Sequence, residues 1–304
     1  MATPVFNKVV IFGVGLIGGS FARALRHMGA VGTVVGMGRS PASMARALEL
    51  GIIDEIGGDM AQAIHGADLV LVAAPVAQTG AILASIAPHL QPGTVVTDAG
   101  STKSDVVEAA RASLGDKIAQ FVPGHPIAGR ETNGPDAAII DLYRGKKVVL
   151  TPLAENAASD VERVAAAWRT CGAIIHVLTP AEHDKVFAAV SHLPHLLAFA
   201  LVDDIARKPH ADLLFQYAAS GFRDFTRIAG SSPEMWRDIS LANQPALLQE
   251  LDAYLAQLTA LRTHLAAGDG AAIEQVYANA QQARQQWIGA IEAAEVPAPA
   301  ASAQ

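Results

Sequence analysis

Residues 8–18 read KVVIFGVGLIG. A short apolar run ends at Phe12, glycines follow at 13, 15 and 18, and a helical pattern then begins with Phe21, Leu25 and Met28 on one face. Glycines at this spacing permit a tight turn and close backbone approach, and they leave the helix N-terminus facing a pyrophosphate. GxGxxG alone is a weak signal. Strand, glycine turn and helix in this order point to a dinucleotide-binding βαβ unit, against the alternative of a merely tight strand-to-helix turn.

Working outward, strands over residues 33–36, 68–73, 94–98 and 120–123 alternate with helices over 41–50, 79–87 and 104–114. Such alternation implies a mostly parallel sheet. Two more strands, over 147–151 and 173–178, flank a helix over 158–171 and are expected to extend that sheet. After Thr179-Pro180 the pattern is helical throughout, and Leu247, Leu251, Leu255, Leu258 and Leu265 recur at helical spacing in one long element. That stripe suits either a core or a homodimer interface. The expected fold is an α/β Rossmann-type domain over 1–179, then an all-α helical substrate and dimerisation domain over 180–290, with a flexible Pro/Ala tail over 291–304.

Composition narrows the function. The 304 residues are 51% apolar and 17% charged, enough for two cores, and the net charge of −7 with scattered basic residues excludes a nucleic-acid partner. The single cysteine, Cys171, excludes an internal disulfide and a Cys-based metal cluster, and no metal is expected; a reducing cytoplasm fits. The longest uninterrupted apolar run, residues 69–77, falls short of the roughly 20 residues that span a bilayer, so no membrane partner is expected. MATPVFNK lacks the layout of a signal peptide.

Candidate cofactor contacts are Gly13, Gly15, Leu16, Ile17 and Gly18 in the turn, and Pro75 after a later strand. Where the fingerprint places an acid for the ribose of NAD, the second strand instead ends in Met37-Gly38-Arg39-Ser40. A guanidinium and a hydroxyl suit a 2′-phosphate, so NADP is expected over NAD. Arg39 stacking on adenine or facing water leaves NAD possible. Three loops at expected strand ends carry unusual residues: 74–76, 98–103 and 124–126. In FVPGHPIAGRETN, residues 121–133, the Gly and Pro beside His125 are expected to keep its imidazole outside regular structure and in the cleft. In the helical half, Ser191-His192-Leu193-Pro194-His195 sets two histidines beside a proline, either as functional groups or bonded to backbone that the proline frees. Residues 220–227, SGFRDFTR, offer one arginine to pair with Asp224 and one for an anionic ligand.

Together, GxGLIGGS, TDxGSTK, PGHPIAG, SHLPH and SGFRDFTRIA, in this order between about residues 8 and 287, resemble the prephenate/arogenate (cyclohexadienyl) dehydrogenase family of tyrosine biosynthesis. That resemblance implies a small-molecule substrate, prephenate or arogenate, and a homodimer formed through the helical domain. It implies that His125 bonds the ring hydroxyl and assists hydride transfer, that Ser101 orients both, and that Arg227 clamps a carboxylate. It also places His192, Glu131 and Trp236 near the substrate. A neutral imidazole, with an ordinary pKa of about 6.5, suits proton acceptance near neutrality. Two rivals are a β-hydroxyacid type of dehydrogenase using Lys185 or Lys208, and a regulatory protein that senses NADP without turnover. An acid such as Glu131 or Asp136 would favour the ammonium of arogenate, while Arg130 beside them pulls toward the keto group of prephenate.

Overall fold

A computed structural model describes residues 5–130 and 132–295. The chain divides into two compact units, the first ending at Leu247 and the second starting at Leu248.

The first unit opens with β1 (Phe6–Phe12), α1 (Leu16–His27), β2 (Val31–Met37), α2 (Pro41–Glu49), β3 (Glu55–Ile56), α3 (Met60–Ile64), β4 (Leu69–Val72), α4 (Thr79–Ile86), β5 (Val95–Asp98), α5 (Ser104–Leu114) and β6 (Phe121–Val122). These six strands form one parallel sheet in the order β3-β2-β1-β4-β5-β6. Successive side chains alternate between its faces: Val9, Ile11, Leu69 and Leu71 enter one apolar cluster, and Val10, Phe12, Val70 and Val72 another. Helix-covered faces on both sides explain why β4 reads as an uninterrupted apolar run. The strand order reverses between β1 and β4, the place where such sheets open a ligand crevice. β3 has two exposed residues and left no periodic signal.

The expected extension of this sheet does not occur. β7 (Gly124–Pro126), β8 (Lys147–Leu150) and β9 (Ile174–Val177), with α6 (Ala158–Thr170) between the last two, make a separate three-stranded sheet. β6 is only two residues long, and Pro123 has no N–H with which to continue a ladder. The chain therefore pairs antiparallel with β8 instead, His125 opposite Val149. His125 thus stands on a strand, contrary to the expectation of a loop, and its β pairing fixes the backbone that aims the ring.

A capping box between Thr179 and Glu182 starts α7 (Pro180–Phe187), which runs through a π-helical turn (Ala188–His192) into α8 (Leu193–Ala206). Pro194 falls in the first turn of α8, where a missing N–H is tolerated. His195 Nδ1 bonds the Ser191 carbonyl at 2.8 Å, so one of the paired histidines serves the backbone at this irregular turn. The run Pro180–Ala206 is long and apolar enough by composition to cross a membrane, a test that core helices also pass. Glu182, His183, Asp184, Lys185, Ser191, His192 and His195 interrupt its apolar residues, so it holds no long uninterrupted run. α9 (Ala211–Gln216), α10 (Ser220–Thr226) and α11 (Pro233–Ala242) follow.

α12 (Gln244–Ala267) begins in the first unit, where Leu247 is buried. The second unit consists of the rest of α12 and α13 (Gly270–Glu295), joined through Gly268 in the left-handed region at φ +66°. Leu255, Leu258, Leu265, Tyr277 and Trp287 are exposed on these two helices. Of the tail expected over 291–304, residues 291–295 instead continue α13, and the rest lies outside the described residues.

Candidate active site

A cavity of about 750 Å³ lies at the carboxyl ends of the first sheet, entirely within the first unit, and the three loops singled out from sequence all reach it. Gly15, Leu16, Ile17 and Pro75 line it from the glycine turn and the loop after β4; Ser101 and His125 line it as well; His195, Arg227 and Trp236 come from the helices. At the glycine turn, Gly13 has φ +91°, and a Cβ there would stand 2.5 Å from the Ala73 carbonyl oxygen. A Cβ on Gly18 would collide with the Gly13 carbonyl. Gly15 differs, since among the described residues a Cβ there would meet only the Gly134 amide nitrogen, at 3.9 Å. Gly13 and Gly18 therefore make the turn, while Gly15 keeps open the space before the uncapped N-terminus of α1. That space fits a dinucleotide pyrophosphate. Arg39 and Ser40 are exposed and outside the cavity wall. Ser40 caps α2, its Oγ accepting the Ser43 amide at 3.2 Å.

His125 is held from behind. Its Nδ1 lies 2.8 Å from Nε2 of His183, and Nδ1 of His183 lies 2.9 Å from Oδ1 of Asp184. The amides of Lys103 and Ser104 donate to the two oxygens of Asp184 at 2.8 and 2.7 Å. Phe187 packs edge-on against the His125 ring. Burial, then unfavourable electrostatics with His183, Lys103 and His192, hold the His125 pKa well below the ordinary histidine value. The ring is neutral at neutral pH. Burial also lowers His183, against the raising effect of its bond to Asp184. For Asp184 burial acts upward, but the bonds from His183, Ser104 and Lys103 outweigh it and keep the carboxyl ionised.

A second buried assembly ties two loops together. Oδ2 of Asp98 accepts the Lys103 ammonium and the Gly100 amide, the latter at 2.8 Å, and Oδ1 accepts the Gly124 amide at 3.0 Å. Both side chains are 0% exposed, so each charge depends on the other and on these amides. One carboxylate thereby joins the Ser101 loop to the His125 strand.

On the helical side, His195 stacks on Trp236 with centroids 3.5 Å apart and rings 18° from parallel. Arg227 is exposed and lines both this cavity and a neighbouring one of about 710 Å³ that Arg130, Asn133 and Asp136 share. Asp136 is bound to Arg46 at 2.7 and 2.9 Å. His192 is 1% exposed and stands behind the cavity wall: Asn243 contacts its Nδ1 at 3.0 Å, and burial lowers its pKa to about 4. Glu131 lies outside the described residues. Of the two lysines weighed as bases, Lys185 is exposed and Lys208 pairs with Asp204 at 2.6 Å; neither lines the cavity.

Sequence reasoning missed His183, Asp184 and the pairing of Asp98 with Lys103. A faint signal existed for the first two: Thr179-Pro180-Ala181-Glu182 fixes the start of a helix and leaves an adjacent His-Asp in its next turn.

Residues 21–185 match the family model described as prephenate dehydrogenase, nucleotide-binding domain, and residues 179–278 match prephenate dehydrogenase, dimerization domain. A cyclohexadienyl dehydrogenase of Zymomonas mobilis is 38% identical, over 92% of this chain and 96% of that protein. The chain belongs to the prephenate dehydrogenase family. A prephenate dehydrogenase of Bacillus subtilis is 35% identical over 85% of this chain and 70% of its own length. The crystal structure of Aquifex aeolicus prephenate dehydrogenase with hydroxyphenyl propionate and NAD+ superposes with a TM-score of 0.86 at 36% identity, covering 94% of this chain and 99% of that one. As a member of the prephenate dehydrogenase family, the chain is an NAD(P)-dependent oxidoreductase.

Proposed function

We propose that the protein is a prephenate dehydrogenase, which oxidatively decarboxylates prephenate to 4-hydroxyphenylpyruvate, with hydride transfer to NADP or NAD. The observation that carries this reading is a single cavity joining the glycine turn, Ser101 and a neutral, half-buried His125 to Arg227. Gly13, Gly15, Leu16, Ile17, Gly18 and Pro75 would hold the dinucleotide, with Arg39 beside its ribose. When bound, it supplies the hydride acceptor.

The protein's own tasks are orientation, proton handling and a charge clamp. His183 occupies Nδ1 of His125, which leaves Nε2 for the ring hydroxyl. That nitrogen takes the hydroxyl proton as hydride leaves the adjacent carbon, and returns it to the phenolate once carbon dioxide has departed and the ring is aromatic. No net proton is consumed. Ser101 orients the hydroxyl, and Arg227 holds the substrate carboxylate, a task suited to a permanently charged fork. The face of Trp236 is covered by His195, which makes the pair a flat wall for a ring.

Arogenate is the second reading, favoured by likeness to Synechocystis arogenate dehydrogenase, with a TM-score of 0.78 at 30% identity. The commitment of Asp136 to Arg46 takes away one acid for an ammonium and supports the keto side chain. Dimerisation through the helical half has the support of the matched dimerization domain and of the exposed apolar residues of α12 and α13. The run Pro180–Ala206 we read as site scaffold, since its His183, Asp184 and His192 are tied into the network behind the cavity.

The test is steady-state kinetics with prephenate and arogenate, each with NAD and NADP. Prephenate should be preferred; turnover of neither substrate would overturn the reading. Arg227→Ala should raise KM for prephenate at least tenfold, the loss of one charge-assisted contact. An unchanged KM would mean that another cation makes the clamp.

A further inference from the structure

We propose that Asp184 and His183 are a positioning pair that fixes the tautomer of His125, so that its Nε2 faces the cavity as a bare lone pair. This rests on the reading of His125 as the base.

The argument follows hydrogen positions from one end of the chain to the other. An ionised carboxylate only accepts, so Nδ1 of His183, at 2.9 Å from Asp184, carries a hydrogen. A neutral His183 then has a lone pair at Nε2. That atom lies 2.8 Å from Nδ1 of His125, which must be the donor. A neutral His125 that spends its one hydrogen on His183 has none on Nε2. The opposite tautomer would set two lone pairs against each other inside the protein, where water does not intervene: His183 is 0% exposed and Asp184 5%. A His oriented through a second group by a buried carboxylate is the logic of the serine-protease triad, extended here by one imidazole.

The competing reading is structural. Asp184 also receives the Lys103 and Ser104 amides and so links the start of α5 to α7. His183 packs at 4.4 Å between ring centroids on Phe187. Loss of either residue could disturb the fold without any tautomer being involved. The other charged or titratable groups facing the chain are the Asp98–Lys103 pair from β5 and its following loop, and His192 from the π-helical turn.

Three variants of the full chain separate the readings: His183→Phe, which keeps a flat ring but removes the acceptor; His183→Gln, whose amide oxygen can accept from His125; and His125→Asn as reference. His183→Phe should lower kcat about 100-fold, within the span seen when a catalytic base loses its orienting partner, with substrate and cofactor KM within about threefold. His183→Gln should recover most of that loss. Equal losses in Phe and Gln, or a rise in KM at constant kcat, would overturn the proposal while leaving His125 as the base. A His125→Asn variant with near-normal turnover would instead remove the base itself. Imidazole nitrogen NMR of the unliganded wild-type protein gives a readout independent of turnover and of variant folding. Its expected result is one neutral His125 tautomer with hydrogen on Nδ1; hydrogen on Nε2, or an even mixture, overturns the proposal.

Discussion

The two ends of the cavity are made of different material. At the dinucleotide end the wall is backbone: an uncapped helix start, a glycine in the left-handed region and another that leaves space before the helix. At the chemical end it is side chains in series, buried Asp184 and His183 behind half-buried His125, with Asp98 and Lys103 tying the loops. Backbone donors bind a phosphate without titrating. Side chains in a water-poor site gain in electrostatic strength, but each becomes dependent on its neighbour. The chemical end should therefore fail on single polar substitutions, and the dinucleotide end on the addition of a methyl group.

The largest effect should come from His125→Asn, with kcat lowered about 10² to 10⁴-fold and substrate KM little changed. Near-normal turnover would remove His125 as base. In the unsubstituted enzyme the same residue sets a pH limit. Burial depresses its pKa, so the neutral base persists below pH 6.5 and activity is lost only as pH falls through the lowered value. An acid limb of kcat/KM at or above 6.5 would contradict the environment described.

Next comes Lys103→Met, which leaves the buried Asp98 carboxyl without its ammonium partner. Breaking a buried pair in this way costs about 3–5 kcal/mol, a large share of a domain's stability and readable by chemical denaturation. A loss under about 1 kcal/mol would show that water or another cation reaches Asp98.

At the dinucleotide end, Gly13→Ala should act through conformation. A side chain at φ +91° is strained by about 1–3 kcal/mol, and the added Cβ presses on Ala73. Dinucleotide affinity should fall at least tenfold, the equivalent of about 1.4 kcal/mol. His125→Asn should leave that affinity intact. If both variants weaken dinucleotide binding equally, the two ends are not separable.

The same division decides what the sequence reveals. Gly13, Gly15 and Gly18 are legible because a backbone demand selects one residue type at fixed spacing, and the alternating strands are legible because burial on both faces selects apolar runs. His125 is legible through PGHPIAG, yet its strand is not, since three residues carry no period and pairing with Val149 is a long-range event. His183 and Asp184 escape for a related reason. Their partners lie 58 and 80 or more residues away. Beyond the helix start that Thr179 and Glu182 mark, nothing local distinguishes them from any polar helix face. His192 shows a related limit: the motif sets it near the site, but its burial and its contact with Asn243, 51 residues on, are long-range facts that no local pattern carries.

The smallest effect belongs to Arg39→Ala, and it tests whether the dinucleotide end contains any side-chain recognition at all. Arg39 follows β2, where the chain carries no acid to accept the ribose hydroxyls of NAD. Ser40 is already committed to capping α2, so its hydroxyl can donate to a phosphate only while it continues to accept the Ser43 amide. Recognition of a 2′-phosphate would then rest chiefly on the guanidinium, in an exposed position where solvent screens the contact. The expected change is therefore modest: KM for NADP up about tenfold, the low end for a charged hydrogen bond, and KM for NAD within about twofold. A wild-type preference for NAD that survives the substitution would place Arg39 in water and leave the dinucleotide end purely backbone. A rise for both cofactors alike would mean that the guanidinium contacts the adenine, which NAD and NADP share.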